Sequence, residues 1–326
     1  MPRFTYRREW HPEANLEVLR LRCQGASPAD CASLAFAPEM GSNLLSFSVK
    51  GQEYLVAGDR ANGVWQLLGT PILYPMPNRV RGGRFSFDGR DYIFPPNNGP
   101  NFIHGLVRDR AWVCDPPRIS EEAIAVTTRC RFAPDSPAYA LLPIRNTLEL
   151  TYTLRPDAVR FDFAVYNEDE AQRLPFGLAI HPYFAIIGAR EQVRIQSSAR
   201  YWMEAVDLLP TGRLLALDDG PVDLRQPTAL SALALDDVFY GLSSRAPQAI
   251  YYDAIGTQLL LTASDLFTHT VIYTPPGRPF FCIENQSCST DAHNLYARGL
   301  QRAAHLTILD PGQACAAWIE FAVRAL

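Results

Sequence analysis

Three short polar segments interrupt an otherwise apolar, strand-like sequence, and they hold side chains able to move protons or grip a polar ligand. The first reads Pro-Asn-Arg-Val-Arg-Gly-Gly-Arg-Phe over 77–85 and is followed by Pro-Asn-Asn-Gly-Pro-Asn-Phe-Ile-His-Gly over 96–105. The second, Gly-Leu-Ala-Ile-His-Pro-Tyr-Phe, covers 177–184, and the third, Arg-Pro-Phe-Phe-Cys-Ile-Glu-Asn-Gln-Ser, covers 278–287. His181 ends the apolar run Leu178-Ala179-Ile180 and is stiffened by Pro182, which suits an imidazole pointing from a strand end into a cleft. On spacing alone, a buried, hydrogen-bonded structural histidine is the better reading. Glu284 follows the uncharged run Phe280-Phe281-Cys282-Ile283. It is either a desolvated carboxylate, raised toward the range of a general base, or half of an ion pair with Arg278 or another arginine. His104 precedes Gly105, which permits close approach of backbone or ligand, but taken alone loop stabilisation is the better reading. Arg79, Arg81 and Arg84 can bind an anion or hydroxyl groups, although such residues more often form a solvated edge.

The elements that must position these groups are strands. Val159, Phe161, Phe163 and Val165 alternate with Arg160 and Asp162, and residues 43–49 and 316–323 are similarly apolar. Period two marks half-buried strands. Turn residues separate them: Asp88-Gly89 between Phe87 and Tyr92, Arg155-Pro156-Asp157 between 148–153 and 159–165, and Val-Lys-Gly-Gln at 49–52. Helical signal is confined to 226–235, with Pro227 near its first turn. Twenty-six prolines oppose long helices. No composition break divides the chain, so a single domain over 1–326 is expected, an all-β antiparallel sandwich with few short helices.

Composition narrows the function classes. Of 326 residues, 48% are hydrophobic and 20% charged, which fits a globular chain with a large core. A net charge of -4 offers no attraction to nucleic acid or to an anionic membrane, and no apolar run reaches the ~20 residues a bilayer span needs. Residues 1–10 lack an apolar signal core, and the cysteines number an odd seven with no CxxC spacing. A cytoplasmic location without a disulfide framework or thiolate metal site is therefore expected. Phosphate-loop, GxGxxG, GxSxG and HExxH patterns are all missing, so no cofactor or metal is expected.

Taken in order, the segments resemble the aldose 1-epimerase (galactose mutarotase-like) family. The matching positions are Asn78-Arg79, His104-Gly105, His181-Pro182-Tyr183-Phe184, Asp236-Asp237-Val238-Phe239 and Cys282-Ile283-Glu284-Asn285-Gln286, and the likeness spans roughly residues 30–325. The resemblance implies a large β-sandwich with an open cleft for a pyranose. It implies Glu284 as general base and His181 as general acid, with Arg79, His104 and Asp236 orienting sugar hydroxyls. Asp237 stands where many relatives have histidine, so either aspartate is open as the one facing the sugar. The loop His104-Gly105-Leu106-Val107-Arg108 is also similar to that of hexose-6-phosphate epimerases, which leaves open a phosphorylated substrate near Arg108 or Arg81. A non-catalytic carbohydrate-binding protein using the same cleft is the alternative from another class.

The implied reaction removes a proton from the anomeric hydroxyl and delivers one to the ring oxygen. The ring opens, the C1–C2 bond turns, and the ring recloses on the other face. A carboxylate and an imidazolium on opposite sides of the ring suffice, each worth ~10²–10⁴-fold. Phe184 or Trp65 is a candidate for stacking on the sugar.

Overall fold

The computed structural model describes residues 3–12, 14–25, 31–59 and 66–326. Trp65 lies outside the described residues. Two large antiparallel sheets dominate. Among the described residues one has ten strands, running from Val113–Cys114 through Ile124–Phe132, Asn146–Leu154, Ala158–Asn167, Ala314–Ala325, Thr257–Ala263, Gln248–Tyr252 and Val193–Gln196 to Thr228–Ala229, with Arg118–Ile119 beside it. The other has eight: Leu209–Ala216, Tyr201–Val206, Asp236–Tyr240, His269–Tyr273, Phe280–Gln286, Ala179–Ile180 and Ile72–Leu73, with Tyr183–Ala185 also paired to Phe280–Gln286. A five-stranded sheet built from residues 3–53 flanks them. Helices are limited to short pieces such as Pro137–Leu141, Ala292–Ala297 and Gln301–Ala304. This is the large antiparallel β-sandwich expected from the sequence. No helix among the described residues is long and apolar enough to cross a membrane.

Alternation explains the core. Val159, Phe161, Phe163 and Val165 are buried, whereas Arg160 and Asp162 stay partly exposed and pair with each other at 2.8 Å. Phe184, from the strand beside Phe280–Gln286, meets Phe321 of the ten-stranded sheet with ring centroids 5.4 Å apart, joining the layers. Each such ring contributes roughly 1.5–3 kcal/mol on burial. The main apolar cluster contains Phe239, Ile272, Phe281 and Ile283 of the eight-stranded sheet, so that sheet turns one face inward. Its other face carries Glu284 of the third polar segment, with His181 of the second facing it.

The hairpins form as their turn residues direct. Phe87 pairs with Arg90 across Asp88 (φ 48°) and Gly89 (φ 73°), and Val49 with Gln52 across Lys50 and Gly51. Leu154 pairs with Val159 across the Arg155–Ala158 turn. The expected helix at 226–235 does not form. Thr228–Ala229 pairs with Arg194–Ile195 at the sheet edge, and a single 3-10 turn, Leu230–Ala232, follows. An isolated ten-residue helix has little stability of its own, and edge pairing plus burial of Leu230, Leu233 and Leu235 outweighs it.

Candidate active site

Strand register brings the second and third polar segments together. Ala179 pairs with Gln286, and Tyr183 pairs with Cys282. The same antiparallel register places His181 directly opposite Glu284, where side chains of facing residues share one side of the sheet. His181 Nε2 lies 3.2 Å from Glu284 Oε1. Pro182 removes one donor between the two short strands, while His181 N–H donates to the Pro71 carbonyl at 3.0 Å. Tyr183 stacks on His181 with centroids 4.6 Å apart, and Gln286 Nε2 donates to Glu284 Oε2 at 3.3 Å. Arg278, the alternative partner for Glu284, instead pairs with Asp59 at 2.8 Å.

The first segment adds the third wall. Arg79–Val80 pairs with Phe102–Ile103, and His104 N–H donates to the Asn78 carbonyl at 3.0 Å, so Arg79 and His104 arrive together. His104 adopts φ 71° and Gly105 φ 69°. A Cβ on Gly105 would strike the Tyr74 carbonyl, which is why only glycine allows this turn. His104 then meets His181 edge-on, with centroids 5.2 Å apart and planes at 87°. Arg79 is held by Asn98 Oδ1 at 3.1 Å and Asn78 Oδ1 at 3.2 Å.

The two aspartates separate. Asp236 pairs in register with Tyr273, which pairs with Cys282, so Asp236 shares the face of Glu284. Its carboxyl is raised by burial, with Arg79 opposing and Asp237 adding to the rise. Asp237 points to the opposite face, where Trp202 Nε1 donates to its Oδ1 at 2.9 Å.

Burial sets the proton chemistry. Glu284 is 2% exposed and His181 7%. Burial, and then the nearby Asp236, push the Glu284 carboxyl well above its ordinary range. Burial pushes His181 down to about 4, with a smaller push from Arg108. Burial also drives His104 well down, reinforced by His181, Arg108 and Arg79. Two separate charges are costly here, so the pair favours one proton held between Nε2 and Oε1.

Of the residues singled out in the sequence, the fold gathers Glu284, His181, His104, Arg79 and Asp236, and excludes Asp237. Phe184 is fully buried in the core and cannot reach a sugar. Tyr183 lines the site in its place. Tyr273, Cys282 and Asn98 also belong to the surroundings. For Cys282 the signal was its two-residue offset from Glu284, which sets both on one face. Among the described residues, one donor atom each from His181, Cys282 and Glu284 lies within 4.8 Å of the others, a spacing that could hold a cation. Burial drives the Cys282 thiol well up, which keeps it neutral.

A buried His181–Glu284 pair ringed by arginine, histidine and aspartate thus sits on one sheet face of a large antiparallel sandwich. Consistent with this, residues 29–322 match the aldose 1-epimerase family, and the chain belongs to that family. It is 30% identical to the galactose mutarotase of Sus scrofa over 159 residues, covering 47% of this chain and 44% of that one. Those curated mutarotases are thus matched over less than half of their length. It is 27% identical to YphB of Escherichia coli K12, an uncharacterised protein, over 68% of this chain and 74% of that one. Among solved structures, a galactose mutarotase-like protein from Clostridium acetobutylicum superposes with a TM-score of 0.83 at 18% identity, covering 100% of this chain and 99% of that one. Galactose 1-epimerase from Lactobacillus acidophilus gives 0.77 at 15%, with 100% and 99% covered. At these identities the structural likeness speaks for the fold.

Proposed function

We propose that the protein is an aldose 1-epimerase that interconverts the α and β anomers of a sugar. The observation that carries this reading is the 3.2 Å contact between His181 Nε2 and Glu284 Oε1 beside Arg79, His104 and Asp236. The hydroxyl oxygen to be deprotonated and the ring oxygen to be protonated are bonded to the same carbon. A base and an acid that serve both must therefore be neighbours, a tighter requirement than placement across the ring.

In the forward step the shared proton passes onto His181 Nε2, and Glu284 takes the O1 proton while His181 gives its proton to O5. The C1–O5 bond breaks, its electron pair staying on O5, and C1 becomes an aldehyde. Glu284 is now a neutral acid and His181 a neutral base. After rotation about C1–C2 the transfers reverse on the other face. The pair holds one proton in the resting enzyme, and after ring opening it holds one again, which is the state burial favours. Each positioned transfer is worth roughly 10²–10⁴-fold. Arg79, His104 and Asp236 hold neighbouring hydroxyls so that the open chain stays in register. No cofactor enters the balance of this reaction.

The reading takes residues 1–326 as one domain, supported by an apolar cluster running from Phe4 to Val323. It places the protein in the cytoplasm, supported by the odd cysteine count. Anomer exchange followed by NMR or polarimetry tests the function. A clear rate above buffer for the wild-type protein, lost in Glu284→Gln, is expected. Sugar binding without acceleration would make the protein a carbohydrate-binding module. Comparing glucose with glucose 6-phosphate reports whether the substrate carries a phosphate, the role open to Arg108.

A further inference from the structure

Asp291 is a buried carboxylate that the proton-transfer chemistry does not use. It lies seven residues beyond Glu284, just where the Phe280–Gln286 segment leads into the helix Ala292–Ala297. An aspartate at such a position ordinarily accepts from the first N–H groups of the helix, yet this carboxylate makes no such bond. It turns to the arginine-bearing segment instead. Asp291 N–H donates to the Arg79 carbonyl at 2.8 Å, and Asp291 Oδ1 accepts from Arg81 N–H at 2.9 Å. Asn294 Nδ2 donates to the same oxygen at 2.7 Å and to the Arg84 carbonyl at 3.0 Å. Arg81 Nε stands 3.5 Å from Oδ2, an electrostatic contact. Asp291 holds φ 55°, a left-handed conformation that its bonds on both sides of Val80 compensate.

We infer that Asp291 is a positioning residue for the sugar site: it clamps the backbone of 79–81 so that Arg79, and His104 paired beside it, are set in place before ligand arrives. The inference rests on the proposed sugar site. The clamp also joins the two halves of that site, because the segment that carries Glu284 is the one that grips Arg79. Buried bonds to a charged acceptor are among the stronger ones, so the register is firmly held.

The experiment is a double-mutant cycle between Asp291→Ala and Arg79→Ala, read as KM and kcat for anomer exchange and as sugar affinity by NMR titration. Circular dichroism and Tm of each variant check folding. Asp291→Ala is expected to raise KM and Kd about 10-fold, the scale of one lost buried charge-assisted hydrogen bond, with a smaller change in kcat. In the Arg79→Ala background the same change is expected to add little, because the clamp acts through Arg79. Arg81→Ala, which keeps the backbone N–H bond, is expected to be mild. Should Asp291→Ala not fold, Asp291→Asn, which keeps one acceptor, carries the same comparison with a smaller effect. Unchanged KM and Kd in a folded Asp291 variant, or effects that multiply fully with Arg79→Ala, overturn the clamp while leaving the epimerase reading intact. A wild-type protein that neither binds nor converts aldoses overturns both.

Discussion

Asp236 and Asp237 are neighbours in the chain and are directed to opposite faces of the Asp236–Tyr240 strand. The first couples electrostatically to Glu284 and Arg79, and the second is bonded to the Trp202 indole at 2.9 Å. Exchanging each for asparagine separates the roles. Asp236→Asn is expected to lower kcat/KM by about 10-fold or more, since the proposed mechanism has Asp236 hold a sugar hydroxyl. Asp237→Asn keeps an acceptor for Trp202 and is expected to leave kcat/KM within about 3-fold, with stability changed by roughly 1 kcal/mol. Steady-state kinetics and thermal unfolding of the two variants decide the assignment.

Under the proposed mechanism Glu284 and His181 act as a unit, so their losses should not multiply. Glu284→Gln and His181→Asn are each expected to cost roughly 10²–10⁴-fold in kcat, and the double variant about as much as the worse single one. Rates that fall by the full product of the two losses would contradict a shared proton. Saturating-substrate polarimetry supplies the numbers.

Gly105 carries a steric prediction. Gly105→Ala forces a side chain against the Tyr74 carbonyl in a turn at φ 69°. The backbone must shift, and His104 precedes it directly. Stability is expected to fall by roughly 1–3 kcal/mol and KM to rise, because His104 leaves its contact with His181. Denaturant unfolding and kinetics of the folded fraction check both effects.

Buried histidines away from the site set a pH dependence. His293 is pushed down to about 4 and His269 to about 3 from an ordinary 6.5, in both cases chiefly by burial. The unfolded chain binds their protons at a pH where the folded one refuses them. Their contribution to stability is therefore present above about 6.5 and is lost as pH falls toward 4. Raised carboxyls at Glu284, Asp236 and Asp291 act with the opposite sign, so a difference measurement is needed. His293→Gln, which keeps a donor for the Pro175 carbonyl, is expected to flatten the acid slope by on the order of 1 kcal/mol over this window. Unfolding free energies of variant and parent, measured from pH 7 to pH 4, provide the test.

Much of the architecture was legible in the chain. Alternation at 159–165 and the Asp88-Gly89 and Arg155–Asp157 turns depend on nearest neighbours, and the strands and hairpins formed there as expected. His181 and Glu284 stood out because a polar residue ending an apolar strand is a local anomaly. The order of motifs pointed to the family without any coordinates. The 226–235 segment misled because its helical signal was weak and a sheet edge stood ready to pair with it.

What the tertiary structure alone decided are relations between segments distant in sequence. The register between residues 179–183 and 282–286 is what sets His181 against Glu284, and no local pattern encodes it. Strand parity relative to the core chose Asp236 over Asp237 and Tyr183 over Phe184. Asp291 carried no visible signal, because its role depends on meeting the backbone of Arg79 and Arg81 from more than two hundred positions away. Proton affinity follows the same division: the sequence supplies an imidazole and a carboxyl, but only burial in the folded sandwich shifts both and leaves one proton between them.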